Sequence, residues 1–319
     1  MQLDVGIAFF ILGVFATLVR SNIQFPKGLY QSLVLFLMIA IGLKGGMALA
    51  DHASWQLVSQ SMGVILLGVL LPLIAFPVLY YIGELKRYDA ASIAAHYGSV
   101  SVGTYAVAVA FLEAQNIAYE PYIPLFVVLL EMPAIAVGIA LARGKTKVAD
   151  VGTENSSPST RQLLHEVLFN QGMVLMVGGL LIGFTAGERV ESVKPLFIDL
   201  FNGVLALFLL KMGMTAASQL GEIKRLGSFM LAFGVAMPLV GGALGTIAGT
   251  VIGLSAGGTI LVAILGASAS YIAVPAAMHV ALPKANQSLS ISASLGITFP
   301  FNVLIGIPTF TIINQWISG

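Results

Sequence analysis

Two short segments of this chain place small polar residues where an apolar run would otherwise continue. One is Ala95-His96-Tyr97-Gly98-Ser99-Val100-Ser101-Val102-Gly103-Thr104, and the other is Gly266-Ala267-Ser268-Ala269-Ser270-Tyr271-Ile272-Ala273-Val274-Pro275. Glycine and serine suit a place where a helix stops and its backbone N–H groups must come close to a ligand. Two half-helix starts facing each other would offer free donors and positive dipole ends to a small anion. Candidate anion contacts are Gly98, Ser99 and Ser101 in the first segment and Gly266, Ser268 and Ser270 in the second. The alternative is that the small residues only let helices pack closely.

A carboxylate, Glu131, stands in the middle of an apolar stretch just before Pro133. An ionisable group inside a membrane span is costly and marks an ion or substrate path by default. With Ser101 and Thr104 it offers hard oxygens for a monovalent cation such as sodium; Thr298-Phe299-Pro300 stands in the later half where Glu131-Met132-Pro133 stands in the first, and Asn302 on that stretch is a weaker candidate. A protonated Glu131 hydrogen-bonded to a neighbouring helix is the other reading. Lys44 and Lys211 sit in apolar runs flanked by Gly42, Gly45, Gly46 and Gly213. They either snorkel to the nearer interface or line two vestibules that draw in anions. His96 and His279 have no metal-ligand spacing, and Asp199 and Glu113 read as interfacial charges. The chain contains no cysteine, so disulfide and thiolate chemistry are excluded. No intramembrane Asp pair or Ser–His arrangement suggests an enzyme, and no cofactor is expected beyond a coupling sodium ion.

The elements that must position these groups follow from composition. Of 319 residues, 58% are hydrophobic and only 9% charged, the net charge is +1, and the mean hydropathy is +0.96. Soluble domains carry about a quarter charged residues, so the bilayer is the solvent for most of this chain, and nothing basic invites nucleic acid. Apolar segments at roughly 4–19, 29–50, 55–82, 91–111, 123–142, 168–186, 196–217, 227–253, 258–281 and 289–315 predict ten spans. The first lacks the basic flank of a signal peptide and is expected to be retained. One polar stretch, Arg143–Arg161 with Pro158, divides the spans into two sets of five.

Those sets repeat. A displacement of about 167 residues lays Lys27 on Lys194, Leu29 on Leu196, Lys44 on Lys211, Gly46 on Gly213 and Met47 on Met214. Five spans is an odd number, so the second copy enters from the opposite side, and inverted repeats of this kind carry a transporter's site at their interface. The expected fold class is an all-α polytopic membrane protein of ten helices. Residues 1–145 form the first repeat, 146–166 a cytoplasmic linker and 167–319 the inverted second repeat, with broken helices in spans four and nine. Basic residues collect in the odd-numbered connections (Arg20, Lys27, Lys86, Arg87, Arg143, Lys224, Arg225 and Lys284 among them), whereas the even-numbered ones hold Arg189 and Lys194. The positive-inside rule then puts the odd connections in the cytoplasm and both termini outside, in a multi-pass inner-membrane protein.

At these segments the chain resembles the sodium-dependent bicarbonate transporter family of bacteria and cyanobacteria. The resemblance is carried by Ile41-Gly42-Leu43 with Gly45-Gly46, and by Gly98 with Ser101 and Thr104. It continues through Phe111-Leu112-Glu113 to Tyr119-Glu120, the acidic-X-Pro-Ala run from Glu131 to Ala134, and Met212-Gly213-Met214 through Gly221-Glu222. Ser268, Ser270, Pro275, Pro283, Ala285-Asn286 and Thr298 complete it. It covers nearly the whole chain. The resemblance implies a ten-span broken-helix fold shared with bile acid sodium symporters, homotrimeric assembly, sodium-driven bicarbonate uptake and, for some members, a cytoplasmic PII-like regulator. The chain departs where cyanobacterial members look acidic, at Tyr271 and Thr215, and serine-like, at Lys44 and Gly103; the family's acid at the Glu131 position is an aspartate. The expectation is a secondary transporter of a small anion, sodium-coupled bicarbonate uptake first. A sodium- or proton-coupled carrier of a small organic carboxylate, or a membrane sensor or scaffold with a degenerate site, is the alternative.

Overall fold

The computed structural model describes residues 5–52, 54–144, 165 and 169–318. The expected linker 146–166 therefore lies outside the described residues, His165 excepted. Among the described residues every regular element is helical. In a bilayer this is forced, because a span without water must satisfy its backbone internally. The helices are α1 (Val5–Leu18), α2 (Lys27–His52), α3 (Trp55–Pro77), α4 (Arg87–Gly98), α5 (Val102–Ala114), α6 (Pro124–Arg143), α7 (Gln171–Ala186), α8 (Phe201–Ser218), α9 (Leu220–Val251), α10 (Ala256–Ala267) and α11 (Ala273–Ala281). The run Gln287–Ile317, α12, completes the chain. Seven helical runs are long and apolar enough to cross a membrane. The shorter apolar helices α1, α7 and α10 fall on the three remaining apolar segments of the sequence.

The departures from straight α-helix have local causes. α3 continues past Pro77 in a π turn, Val78–Ile82, and α12 carries π turns at Ser294–Thr298 and Asn302–Gly306 on either side of Pro300. Proline removes an N–H and crowds the preceding turn, and a π turn absorbs the mismatch. Near its start α9 bends at Gly227, whose φ of 81° is open to glycine and strained for other residues.

Glycines set the tightest helix pairs. A Cβ at Gly13 of α1 would strike the Leu210 carbonyl of α8, and one at Gly213 of α8 would strike the Phe10 carbonyl of α1. On the other side of the molecule, Gly42 and Gly46 of α2 lie against the Met176 and Leu180 carbonyls of α7, and Gly183 of α7 against that of Leu43. Backbone-to-backbone contact of this kind is what small residues provide where hydrophobicity cannot drive association. Gly46 and Gly213 are equivalent under the repeat displacement, so the α1–α8 pair and the α7–α2 pair exchange under it.

The remaining helices form a second group, in which α3, α4 and α6 pack together and α9 packs on α10. Within the Arg87–Ala114 run, 89% of the apolar stretch is buried, against 44–61% in the other six long runs. The interrupted helix is thus enclosed by the others. Trp55 and Trp316 stand almost fully exposed at helix ends, the position of interfacial anchors.

Candidate functional site

Two helices stop inside the protein. α4 ends at Gly98, the chain is extended at Ser99 and Ser101, and α5 begins at Val102. α10 ends at Ala267, Ser268 is extended, and α11 begins at Ala273. The two breaks are tied to each other. The Ser101 amide donates to Ser268 Oγ at 3.0 Å, the Ser268 hydroxyl donates to the Leu265 carbonyl at 2.8 Å, and the Ser270 amide donates to the His96 carbonyl at 2.8 Å. A carbonyl left over at the end of α4 thus accepts from an amide of the second break, and an amide of the first break donates to a side chain of the second. Ser101 and Ser268 are 167 residues apart, the repeat displacement itself. Ser101 also caps α5, its Oγ accepting from the Thr104 amide at 3.0 Å, and Ser270 Oγ accepts from the Val274 amide at 3.3 Å.

Between the breaks is a cavity of about 10 Å³ lined by Ser101, Val102, Glu131, Ser270, Tyr271 and Met38, among others. That is room for one water or one bare cation. Glu131 is only 4% exposed and has no hydrogen bond or ion pair among the described residues. An ionised carboxylate out of water costs several kcal/mol unless it is paired, so this geometry calls for a cation or a proton. Other buried oxygens without partners among the described residues are Ser99 Oγ, Thr104 Oγ1, Tyr271 OH, Gln287 Oε1 and Asn302 Oδ1. The Asn302 amide nitrogen already donates to the Ala267 carbonyl at 2.7 Å. Glu131 and Ser101 line the small cavity, whereas Ser99, Thr104 and Asn302 do not.

Not every expected site residue faces this cavity. A Cβ at Gly98 would press on Pro72 and Ala134, and one at Gly266 on the Gly241 carbonyl; both glycines serve close packing, of α4 on α3 and α6 and of α10 on α9. Thr298 is fully engaged, donating to the Gly234 carbonyl at 2.8 Å and accepting from the Tyr97 hydroxyl at 2.7 Å. It ties α12 to α9 and α4. Tyr271 projects from the second break, its ring edge-on to Phe299 and its hydroxyl against Gly103 and Phe208. A side chain at Gly103 would collide with that hydroxyl.

Three cavities border α2, and the small one is the middle of them. On one side, about 250 Å³ is lined by Tyr30, Met38, Asn170 and Ile272. On the other, 390 Å³ is lined by Ile41, Lys44, His52, Tyr105 and Glu113. Met38 borders the first two, and Ile41, about one turn along α2, borders the third. From Tyr30 to His52, α2 rises about 33 Å at ~1.5 Å per residue, close to the ~30 Å hydrocarbon core. The three spaces therefore line up along one helix across the depth of a membrane. Sequence reading missed this file, together with Tyr97, Tyr105 and Phe201, because no local pattern distinguishes an aromatic that lines a cavity from one in a core.

A family model described as the Na+-dependent bicarbonate transporter superfamily matches residues 6–315. Curated proteins provide no match.

Because Ser268 Oγ joins the two breaks, Ser268→Leu is expected to abolish anion binding while expression and monodispersity persist. Ser268→Ala removes one acceptor worth about 1 kcal/mol and should weaken binding less than tenfold. Titration of labelled bicarbonate onto the purified variants checks both, and equal, unchanged binding in both would assign the crossover to packing alone.

Proposed function

We propose that this chain, which belongs to the Na+-dependent bicarbonate transporter superfamily, is a secondary active symporter that couples sodium to the uptake of bicarbonate or a close small anion. The observation that carries the proposal is Glu131, buried and unpaired in the cavity between two half-helix starts. Backbone donors at the starts of α5 and α11 favour an anion, and the bare carboxylate opposes it. At a separation of ~5 Å and an effective dielectric of ~20, that repulsion is about 3 kcal/mol, roughly a hundredfold in affinity. A sodium ion held by Glu131, with Ser101, Thr104 and Asn302 as candidate partners, would cancel it. Coupling then needs no large rearrangement at the site, because the cation makes the anion tolerable.

The architecture supporting this reading is two five-span repeats of opposite orientation, giving ten spans with the fourth and ninth broken. Its support is the exchange of the α1–α8 and α7–α2 pairs under the repeat displacement, and the direct bond between equivalent Ser101 and Ser268. A residue can touch its own mate only where a two-fold axis runs between them. With the basic connections in the cytoplasm, the cavity at Tyr30 and Asn170 opens inward, the cavity at Lys44 opens outward, and both termini lie outside, in an inner membrane. Homotrimeric assembly and a cytoplasmic PII-like regulator belong to the same proposal and rest on the family alone.

Two outcomes follow from this reading. The chain has no native cysteine, so Ser156→Cys should react with an impermeant thiol reagent only from the cytoplasm, and a cysteine added after Gly319 only from outside. Labelling of both from one face would contradict the odd number of spans per repeat. In proteoliposomes, bicarbonate uptake should follow an imposed sodium gradient, and in Glu131→Gln it should no longer respond to that gradient. Uptake equally fast in choline, but rising as external pH falls, would replace sodium by a proton on Glu131.

A further inference from the structure

The cavity beside Lys44 contains more chemistry than the coupling at Glu131 uses. It lies between the later turns of α2 and α5, the start of α6, and Ile198 and Phe201 at the head of α8. The Lys44 ammonium stands 4.5 Å from the centroid of the Phe201 ring. Its distance to Glu113 Oε1 is 3.8 Å, an ion pair but beyond a hydrogen bond. That same oxygen accepts the Tyr119 hydroxyl at 2.9 Å. Burial first, and then the charge of Glu113, hold the Tyr119 phenol well above its usual pKa, so Tyr119 remains a donor and Glu113 remains its acceptor. Among the described residues nothing hydrogen-bonds the Lys44 ammonium, whose three donors are therefore available within the cavity.

His52 and Tyr105 also line the chamber, His52 with Nδ1 against the Ala48 carbonyl at 2.8 Å. The remaining walls are apolar, with Ile41, Met47, Val109 and Ile198 around the Phe201 face. A volume of 390 Å³ is far more than bicarbonate fills, and bicarbonate has no apolar part to set against such walls. An ammonium with unused donors beside an aromatic face suits a different ligand, a carboxylate carrying a short hydrocarbon tail.

We propose that this chamber is a binding site for short-chain monocarboxylates of the size of propionate and butyrate, with the carboxylate on Lys44 and the tail along Phe201, Ile198 and Met47. The assignment deepens the transport reading, and rests on it only in taking this mouth as the outer one. In that setting the chamber selects which anions reach the crossover. Glu113 accepts the Tyr119 hydroxyl through the oxygen that faces Lys44, and stands at ion-pair but not hydrogen-bond distance from the lysine.

Equilibrium dialysis of radiolabelled acetate, propionate and butyrate against the full-length purified protein in sodium buffer tests this. Each added methylene should tighten binding by about fourfold, with unlabelled bicarbonate a poor competitor for butyrate. Lys44→Gln should weaken butyrate binding at least tenfold, Lys44→Arg should keep most of it, and Glu131→Gln should leave it within about twofold. A flat series in the wild-type protein overturns the proposal, and so does butyrate binding that survives Lys44→Gln or is lost in Glu131→Gln. Sodium-driven bicarbonate uptake is read separately. Its failure with butyrate binding intact removes the transport reading and leaves the chamber, and the converse outcome removes the chamber alone.

Discussion

A helix that stops inside a bilayer leaves amides at one end and carbonyls at the other, with no water to receive them. Each unsatisfied group costs several kcal/mol in hydrocarbon, so an interruption survives only where protein or ligand supplies the missing partners. Here each break supplies partners to the other. Ser270 gives its amide to the His96 carbonyl, Ser101 gives its amide to Ser268, and Ser268 closes onto Leu265. Neither break is stable alone, so the two halves of the chain must meet at this crossover. Beside these exchanges the Glu131 carboxylate is buried and without a partner among the described residues.

The surrounding helices divide by how they hold one another. The α1–α8 and α2–α7 pairs are locked at backbone contact through Gly13, Gly213, Gly46 and Gly183. The crossover helices instead pack with α3, α6, α9 and α12, and are tied internally by Tyr97, Thr298 and Gly234. Within the first group Lys44 lies over Phe201 and Tyr30 stacks on Phe208, both joining α2 to α8, and Lys44 reaches across to Glu113 of α5. The file of cavities along α2 lies between the two groups.

The apolar segments and both breaks were legible in the sequence because each is written locally, in runs of hydrophobic residues interrupted by Gly and Ser. Glu131 was legible for the same reason, since a lone acid in such a run has few structural uses. What sequence could not separate is the purpose of a small residue. Ser101 and Ser270 line the cavity, whereas Gly98 and Gly266, in the same clusters, only admit Pro72 and the Gly241 carbonyl. The difference lies in which neighbour stands opposite, a long-range fact. Thr298 likewise looked like a cation ligand by its equivalence to Glu131, yet its hydroxyl is taken by Gly234 and Tyr97. Lys44 could be read as a snorkelling residue or a vestibule residue, and only Phe201 and Glu113, both distant in sequence, place it in a cavity.

The central claim is that one buried carboxylate makes anion and cation binding depend on each other. Linkage requires that dependence to be reciprocal, which is more demanding than sodium-dependent uptake alone. Calorimetric titration of sodium onto the purified protein, with and without saturating bicarbonate, tests it directly. The account predicts that bicarbonate tightens sodium binding by the same factor by which sodium tightens bicarbonate binding, roughly ten- to a hundredfold, and that Glu131→Gln reduces both factors to one. Sodium affinity that is indifferent to bicarbonate in the wild-type protein would contradict it.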